Sequence, residues 1–84
     1  MTDFGLYLVM TNPKAGYVAC AEAAVRAGVK IVQLRMKHCP RAEVVATGHA
    51  VRTVTRGTGT LFIVNDDPSI AVEVAADGVA RRDD

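Results

Sequence analysis

Three short, nearly continuous runs of branched apolar residues, at 6–10, 29–34 and 61–64, punctuate this chain. A half-covered antiparallel strand alternates apolar and polar residues, whereas an unbroken run is the pattern of a parallel strand buried on both faces. What separates the runs has the helical period instead. Across 16–27, Val18, Ala21, Ala24 and Val25 recur at helical spacing, and Gly28 stands where a C-terminal cap belongs. Pro40 suits the first turn of a second helix, whose stripe Val44, Val51 and Val54 stops before Gly57. Asp67-Pro68 opens a third, with Ile70, Ala71 and Val74 on one face, and Asp77-Gly78 turns into a short fourth strand. The order is βαβαβαβ, with strands expected near 6–10, 29–35, 60–65 and 78–80, all parallel and joined by right-handed crossovers.

Two α/β architectures have that order: a doubly wound sheet, and the first half of a (β/α)8 barrel of the TIM type. Both place their chemistry at the carboxyl ends of the strands. Neither GxGxxG nor GxxxxGK[ST] follows the first strand, so the usual nucleotide-binding fingerprints are missing and the balance moves to the barrel. The chain is read as one partial domain spanning 1–84. Four strands cannot close an eight-stranded barrel, so open edges on the first and fourth strands are expected to favour self-association.

The polar residues that interrupt the apolar pattern gather at those strand ends. Successive strand side chains alternate faces, so Gln33, Arg35 and Lys37 share one side with Ile31. An amide, a guanidinium and an ammonium are costly to bury without partners. Together they suit a phosphate ester, Arg supplying a fork of donors and Lys a point charge. Asn65 and Asp66 add an amide and a hard oxygen ligand of the kind Mg²⁺ prefers. Asp66 or Asp67 is equally suited to cap the helix that starts at Pro68, and the two uses are compatible. Thr11 and Asn12 end the first strand and are candidates to line the same pocket, while Tyr7, Phe62 and Met36 read as packing residues. His38 and His49 have no paired nucleophile, so neither nominates a covalent mechanism.

A net charge of +1 gives no basic footprint for nucleic acid and no acidic tail. Half the residues are apolar and 23% charged, an ordinary globular balance rather than a disordered one. Cys20 and Cys39 lack CxxC or zinc-finger spacing and read as reduced cytosolic thiols. No run approaches a membrane span, and no basic n-region precedes an apolar one, so a soluble cytoplasmic protein is expected.

Leu6-Tyr-Leu-Val9, Val32-Gln-Leu-Arg-Met-Lys37, Leu61-Phe-Ile-Val-Asn-Asp66 and Ala76-Asp-Gly-Val79 follow one another in the order and spacing of thiamine phosphate synthases. The chain resembles that family from about residue 5 to residue 79, the first part of the family's (β/α)8 barrel. The resemblance implies a transferase that joins hydroxymethylpyrimidine diphosphate to thiazole phosphate and releases diphosphate, with Mg²⁺ as cofactor. It implies that Gln33, Arg35, Lys37 and Asn65 contact the pyrimidine diphosphate and that Asp66 holds the metal. The family usually continues past this point with a His, a Leu-Gly pair, a Gln and an acidic pair, whose last Asp is a second metal ligand. Here the chain reads Ala80-Arg-Arg-Asp-Asp84, and a one-residue deletion brings Asp84 into that role. The tail has the look of a truncated copy, expected to be inactive alone. Two other readings are a thiazole tautomerase on the same barrel, which needs no diphosphate clamp, and a non-catalytic half-barrel remnant.

Overall fold

The structure is a computed structural model, and it describes residues 7–80. Strands β1 (Tyr7–Met10), β2 (Ile31–Leu34), β3 (Leu61–Asn65) and β4 (Gly78–Ala80) alternate with helices α1 (Tyr17–Ala27), α2 (Arg41–Thr55) and α3 (Pro68–Glu73). All three strand pairings are parallel, and the sheet order is β1-β2-β3-β4. A doubly wound sheet reverses its strand order at a switch point; this one runs straight through in sequence order, as one arc of a TIM-type barrel does. Tyr7, Ile31 and Leu61 stand in register across the first three strands.

That register sorts the side chains by parity. Leu8, Met10, Val32, Leu34, Phe62 and Val64 turn to the helices and join Ala21, Ala24, Val44, Val51, Ile70, Ala71 and Val74 in one core. Phe62 is fully buried there, and truncating such a ring typically costs about 3–5 kcal/mol. The opposite, barrel-lining face carries Tyr7, Val9 and Leu61, which remain 50%, 45% and 48% exposed. Among the described residues nothing covers it, so the unbroken apolar runs here serve one packed face and one open one.

The elements depart from sequence expectation in instructive places. Strand β2 starts at Ile31 rather than 29 because the Val29 N–H is already used. Gly28, left-handed at φ 78°, closes a Schellman motif in which the Gly28 N–H donates to the Val25 carbonyl and the Val29 N–H to the Ala24 carbonyl. The buried stripe of α1 runs through Tyr17, Cys20, Ala21 and Ala24, leaving Val18 exposed, a third of a turn off the sheet-facing side. In α2 the stripe is Val44, Gly48, Val51 and Thr55, with Val54 only half-buried at its margin. Gly48 is small of necessity: a Cβ there would stand 2.9 Å from Val74 Cγ1, so α2 and α3 pack closely. Pro40 stands at the N-cap of α2, where its carbonyl accepts from the Glu43 and Val44 N–H groups, rather than inside the first turn.

One ionic brace ties α2 to the sheet's last turn. Asp77 accepts from the Phe62 N–H at 2.8 Å and from both Arg52 terminal nitrogens at 2.9 and 3.3 Å. The Phe62 N–H, and then Arg52, holds the Asp77 carboxyl below the usual carboxylate range. A depressed folded-state pKa stabilises the fold fully above the unfolded value, about 3.9, and that contribution is lost as pH falls through the lower folded one. We expect Asp77→Ala to cost about 1.5 kcal/mol, the low end for charged hydrogen bonds because the group is partly exposed. Asp77→Asn, which keeps an acceptor oxygen, should cost less. It should also make acid unfolding below pH 4 shallower, which urea midpoints measured from pH 3 to 7 will read.

Candidate functional site

The carboxyl ends of β1, β2 and β3 form a rim built from tight left-handed turns. Asn12, His38 and Asp66 follow these strands with φ of 49°, 60° and 66°, and Asn, His and Asp are the non-glycine residues that best tolerate that region. At Asp66 the turn also lets the backbone N–H donate to the Ala80 carbonyl at 2.7 Å, holding β4 against the end of β3.

On the open face, Gln33 is the one polar residue of β2, and it is only 7% exposed. Its amide is hydrogen-bonded at both ends: the Tyr7 hydroxyl donates to Gln33 Oε1 and Gln33 Nε2 donates to Asn65 Oδ1, each at 2.8 Å. Arg35 continues the ladder, its N–H donating to the Met10 carbonyl at 3.1 Å. Its guanidinium reaches only a long 3.5 Å contact with the Thr11 hydroxyl, so its donors are largely uncommitted among the described residues.

Lys37 lies beyond the strand, in the turn. It lines a cleft of about 300 Å³ between the starts of α2 and α3, together with Met36, Cys39, Arg41, Asn65 and Asp66. Met36 and Lys37 both face this cleft, so strand alternation has ended by that point. Asn65 is shared: its side chain meets Gln33 on the open face, and the residue also walls the cleft. Gln33, Arg35 and Asn65 therefore gather on the barrel-lining side, and Lys37 and Asp66 adjoin them across Asn65. Asp84 lies outside the described residues.

The neighbouring carboxylates divide their work. Asp67 is the N-cap of α3: its Oδ1 accepts from the Ser69 N–H, the Ser69 hydroxyl and the Ile70 N–H at 2.9, 2.7 and 3.3 Å. The Ser69 hydroxyl, followed by those N–H groups and the Arg41 charge, draws its carboxyl below the usual range. Pro68 at N1 fixes the helical φ and needs no partner for a missing N–H. Asp66, by contrast, spends no side-chain oxygen on the protein among the described residues and is exposed at the rim. No group of three or more His, Cys, Asp or Glu side chains capable of holding a metal occurs among those residues. A lone hard carboxylate beside side-chain cations fits the chemistry of Mg²⁺, which takes one or two protein carboxylates and completes its shell with water and substrate phosphate.

A family profile described as thiamine monophosphate synthase matches residues 6–80. The chain belongs to this family. It is 42% identical over 98% of its length to the thiamine-phosphate synthase of Natronomonas pharaonis, and 39% identical over 94% to that of Moorella thermoacetica. It covers 40% and 39% of those two proteins. The solved thiamine phosphate pyrophosphorylase of Pyrococcus furiosus superposes with a TM-score of 0.75 at 32% identity, over 89% of this chain and 38% of that one. The chain thus spans about two-fifths of the synthases it matches, and it forms one arc of their TIM-type fold. Family membership connects it to thiamine biosynthesis. No helix among the described residues is long and apolar enough to cross a membrane.

Two rim features escaped sequence reading. Tyr7 was expected only to pack, although its parity with Ile31 and Gln33 places it on the open face; the cue was present in the pattern. The cleft beside Lys37 had no such cue, because it depends on where the strand gives way to the turn.

The division between Asp66 and Asp67 predicts opposite responses. Asp67→Ala should lower the thermal midpoint by removing the cap of α3, and Asp67→Asn should retain most of it. Asp66→Asn keeps a residue at ease in the left-handed region and should leave stability unchanged within about 0.5 kcal/mol. Parallel thermal melts of the three variants check both.

Proposed function

We propose that this rim is the pyrimidine diphosphate half-site of a thiamine phosphate synthase. The reaction joins hydroxymethylpyrimidine diphosphate to thiazole phosphate, giving thiamine phosphate and diphosphate. The observation that carries the reading is the meeting of an amide pair, Gln33 and Asn65, with uncommitted cations and the free carboxylate of Asp66 at one strand edge. The amides offer neutral donors suited to ring acceptor atoms. Arg35 and Lys37 offer charge suited to diphosphate oxygens.

In the coupling, the bond from the pyrimidine methylene to the diphosphate oxygen breaks, and diphosphate leaves with the electron pair. The thiazole nitrogen then gives its lone pair to that methylene carbon. No proton moves, which agrees with a rim that offers no nucleophile–base pair. Arg35 and Lys37 would neutralise the charge that grows on the leaving group, and Gln33 with Asn65 would orient the ring. Mg²⁺, held by Asp66, would add a further positive charge at the diphosphate oxygens.

Four strands with an uncovered lining face support a second part of the reading. An 84-residue polypeptide of this sequence would bind one substrate without coupling it, and would self-associate through the open edges of β1 and β4 and the exposed Tyr7, Val9 and Leu61. Positioning both reactants can supply up to about 7–11 kcal/mol of a bimolecular barrier, so a chain that held only one of them would turn over near background.

Calorimetric titration with pyrimidine diphosphate in the presence of Mg²⁺ tests the half-site. Arg35→Ala should weaken binding by about 1.5–3 kcal/mol, and Asp66→Asn should abolish its dependence on Mg²⁺. A titration untouched by either substitution rejects the assignment. Assays of thiamine phosphate formation should find little product from the chain alone, and more when a family-derived carboxyl-terminal part of the barrel is added. Robust turnover by a monomer rejects the half-site reading.

A further inference from the structure

Tyr7, Gln33 and Asn65 form a hydrogen-bonded diagonal across three strands. Tyr7 pairs in register with Ile31, and Gln33 pairs with Val9 on one side and Ile63 on the other. Each hydrogen bond therefore climbs one inward-facing position, from β1 to β2 and from β2 to β3, until Asn65 reaches the rim beside Ala80. The direction of this relay decides what the rim offers a ligand. A primary amide can present either its carbonyl or its NH₂, and the two ends exchange by a simple flip.

The hydroxyl of Tyr7 breaks that symmetry. Conjugation of its lone pair into the ring makes a phenol a better donor than acceptor, so the group facing it is the Gln33 carbonyl. Gln33 Oε1 is then satisfied by β1, its Nε2 turns to β3, and Asn65 Oδ1 is taken in turn. One N–H of Gln33 and both N–H groups of Asn65 are left without protein partners among the described residues. Reversing the relay would offer an Asn65 carbonyl instead, next to a site already carrying the Asp66 carboxylate.

We propose that Tyr7 is a positioning residue: its hydroxyl locks the Gln33 amide so that Gln33 and Asn65 face the ligand as donors. The ligand class that matches is one rich in acceptor atoms, a ring nitrogen or a phosphate oxygen. The inference rests on the pyrimidine diphosphate reading for the identity of that ligand, but the orientation of the amides is independent of it.

Tyr7→Phe, which removes only the oxygen, is the test, with two readouts on the 84-residue chain. In ¹⁵N–¹H spectra the side-chain NH₂ signals of Gln33 and Asn65 should both shift and exchange faster with water. The backbone amides of Val32, Leu34 and Phe62 should hold their positions, reporting an intact sheet. Unmoved side-chain signals overturn the proposal whether or not any ligand binds. If Tyr7→Phe disturbs the backbone amides as well, Gln33→Glu replaces it: the carboxylate still accepts from Tyr7 but cannot donate, so the Asn65 NH₂ signal alone should move, and an unmoved one overturns the relay.

The second readout is pyrimidine diphosphate titration, in which Tyr7→Phe should weaken affinity about threefold to tenfold, the scale of one hydrogen bond. In a Gln33→Ala background the same substitution should have no further effect. An equal loss in both backgrounds shows Tyr7 acting on its own and overturns the relay. Absence of binding by the unsubstituted chain counts against the pyrimidine reading alone, and the spectra still decide the role of Tyr7.

Discussion

The in-step register of the four parallel strands is the constraint from which the rest follows. Because Tyr7, Ile31 and Leu61 stand level, every even-numbered side chain of β1 to β3 enters the core beneath the helices and every odd-numbered one lines the opposite face. A slip of one residue in β2 would drive the Gln33 amide into contact with Val44 and Val51 and leave Val32 and Leu34 uncovered. Burying an unpaired amide costs on the order of 1–3 kcal/mol, and losing two apolar side chains from the core costs about 1.5–3 kcal/mol each. That combined penalty is comparable with the whole stability of a small domain. The register is thus specified by packing, and the polar lining is a by-product that function can use.

Three aspartates around β3, two past its carboxyl end and one beside its start, show how the same side chain is assigned different work by its surroundings. Asp77 is bound by the Phe62 N–H and Arg52, so it locks the turn into β4. Asp67 is spent on the first turn of α3. Asp66, just before Asp67, sits in a left-handed turn that commits its backbone to Ala80 and leaves its carboxylate without a protein partner among the described residues. The two structural aspartates hold depressed pKa values, because the hydrogen bonds they accept favour the charged carboxylate.

Much of this was legible from sequence, for reasons that are local. The apolar runs and the Ile70, Ala71 and Val74 stripe report their own burial, Asp67-Pro68 reports a cap, and Gly28 reports a helix end. The misplacements share a cause, since each depended on a partner distant in sequence or on competition for one backbone group. Val29 looked like a strand residue until the Schellman motif claimed its N–H. Val18 fitted the helical period but not the direction of the sheet. Gly48 carried no signal of its own in the stripe, whereas the nearness of Val74 makes it a contact point. At the site, Gln33 and Arg35 were readable by parity, which extends through Arg35, and Asn65 by its place at a strand end; Lys37 departs from that parity, because alternation ends with the strand.

The rim also shows why chemistry and stability can share this sheet with little conflict. The side chains left uncommitted among the described residues, Arg35 and Asp66, lie past the last core position of their strands, where solvent supplies the missing partners and exposure costs little. The buried polar side chain on the open face, Gln33, is satisfied at both ends by protein, and its remaining N–H and the two of Asn65 are the amide donors left without a protein partner among the described residues. A buried amide network is harmful when half made and rigid when complete. Here it is complete except at the end that faces the rim, so the free energy of occupying that end is available to a ligand rather than consumed within the fold.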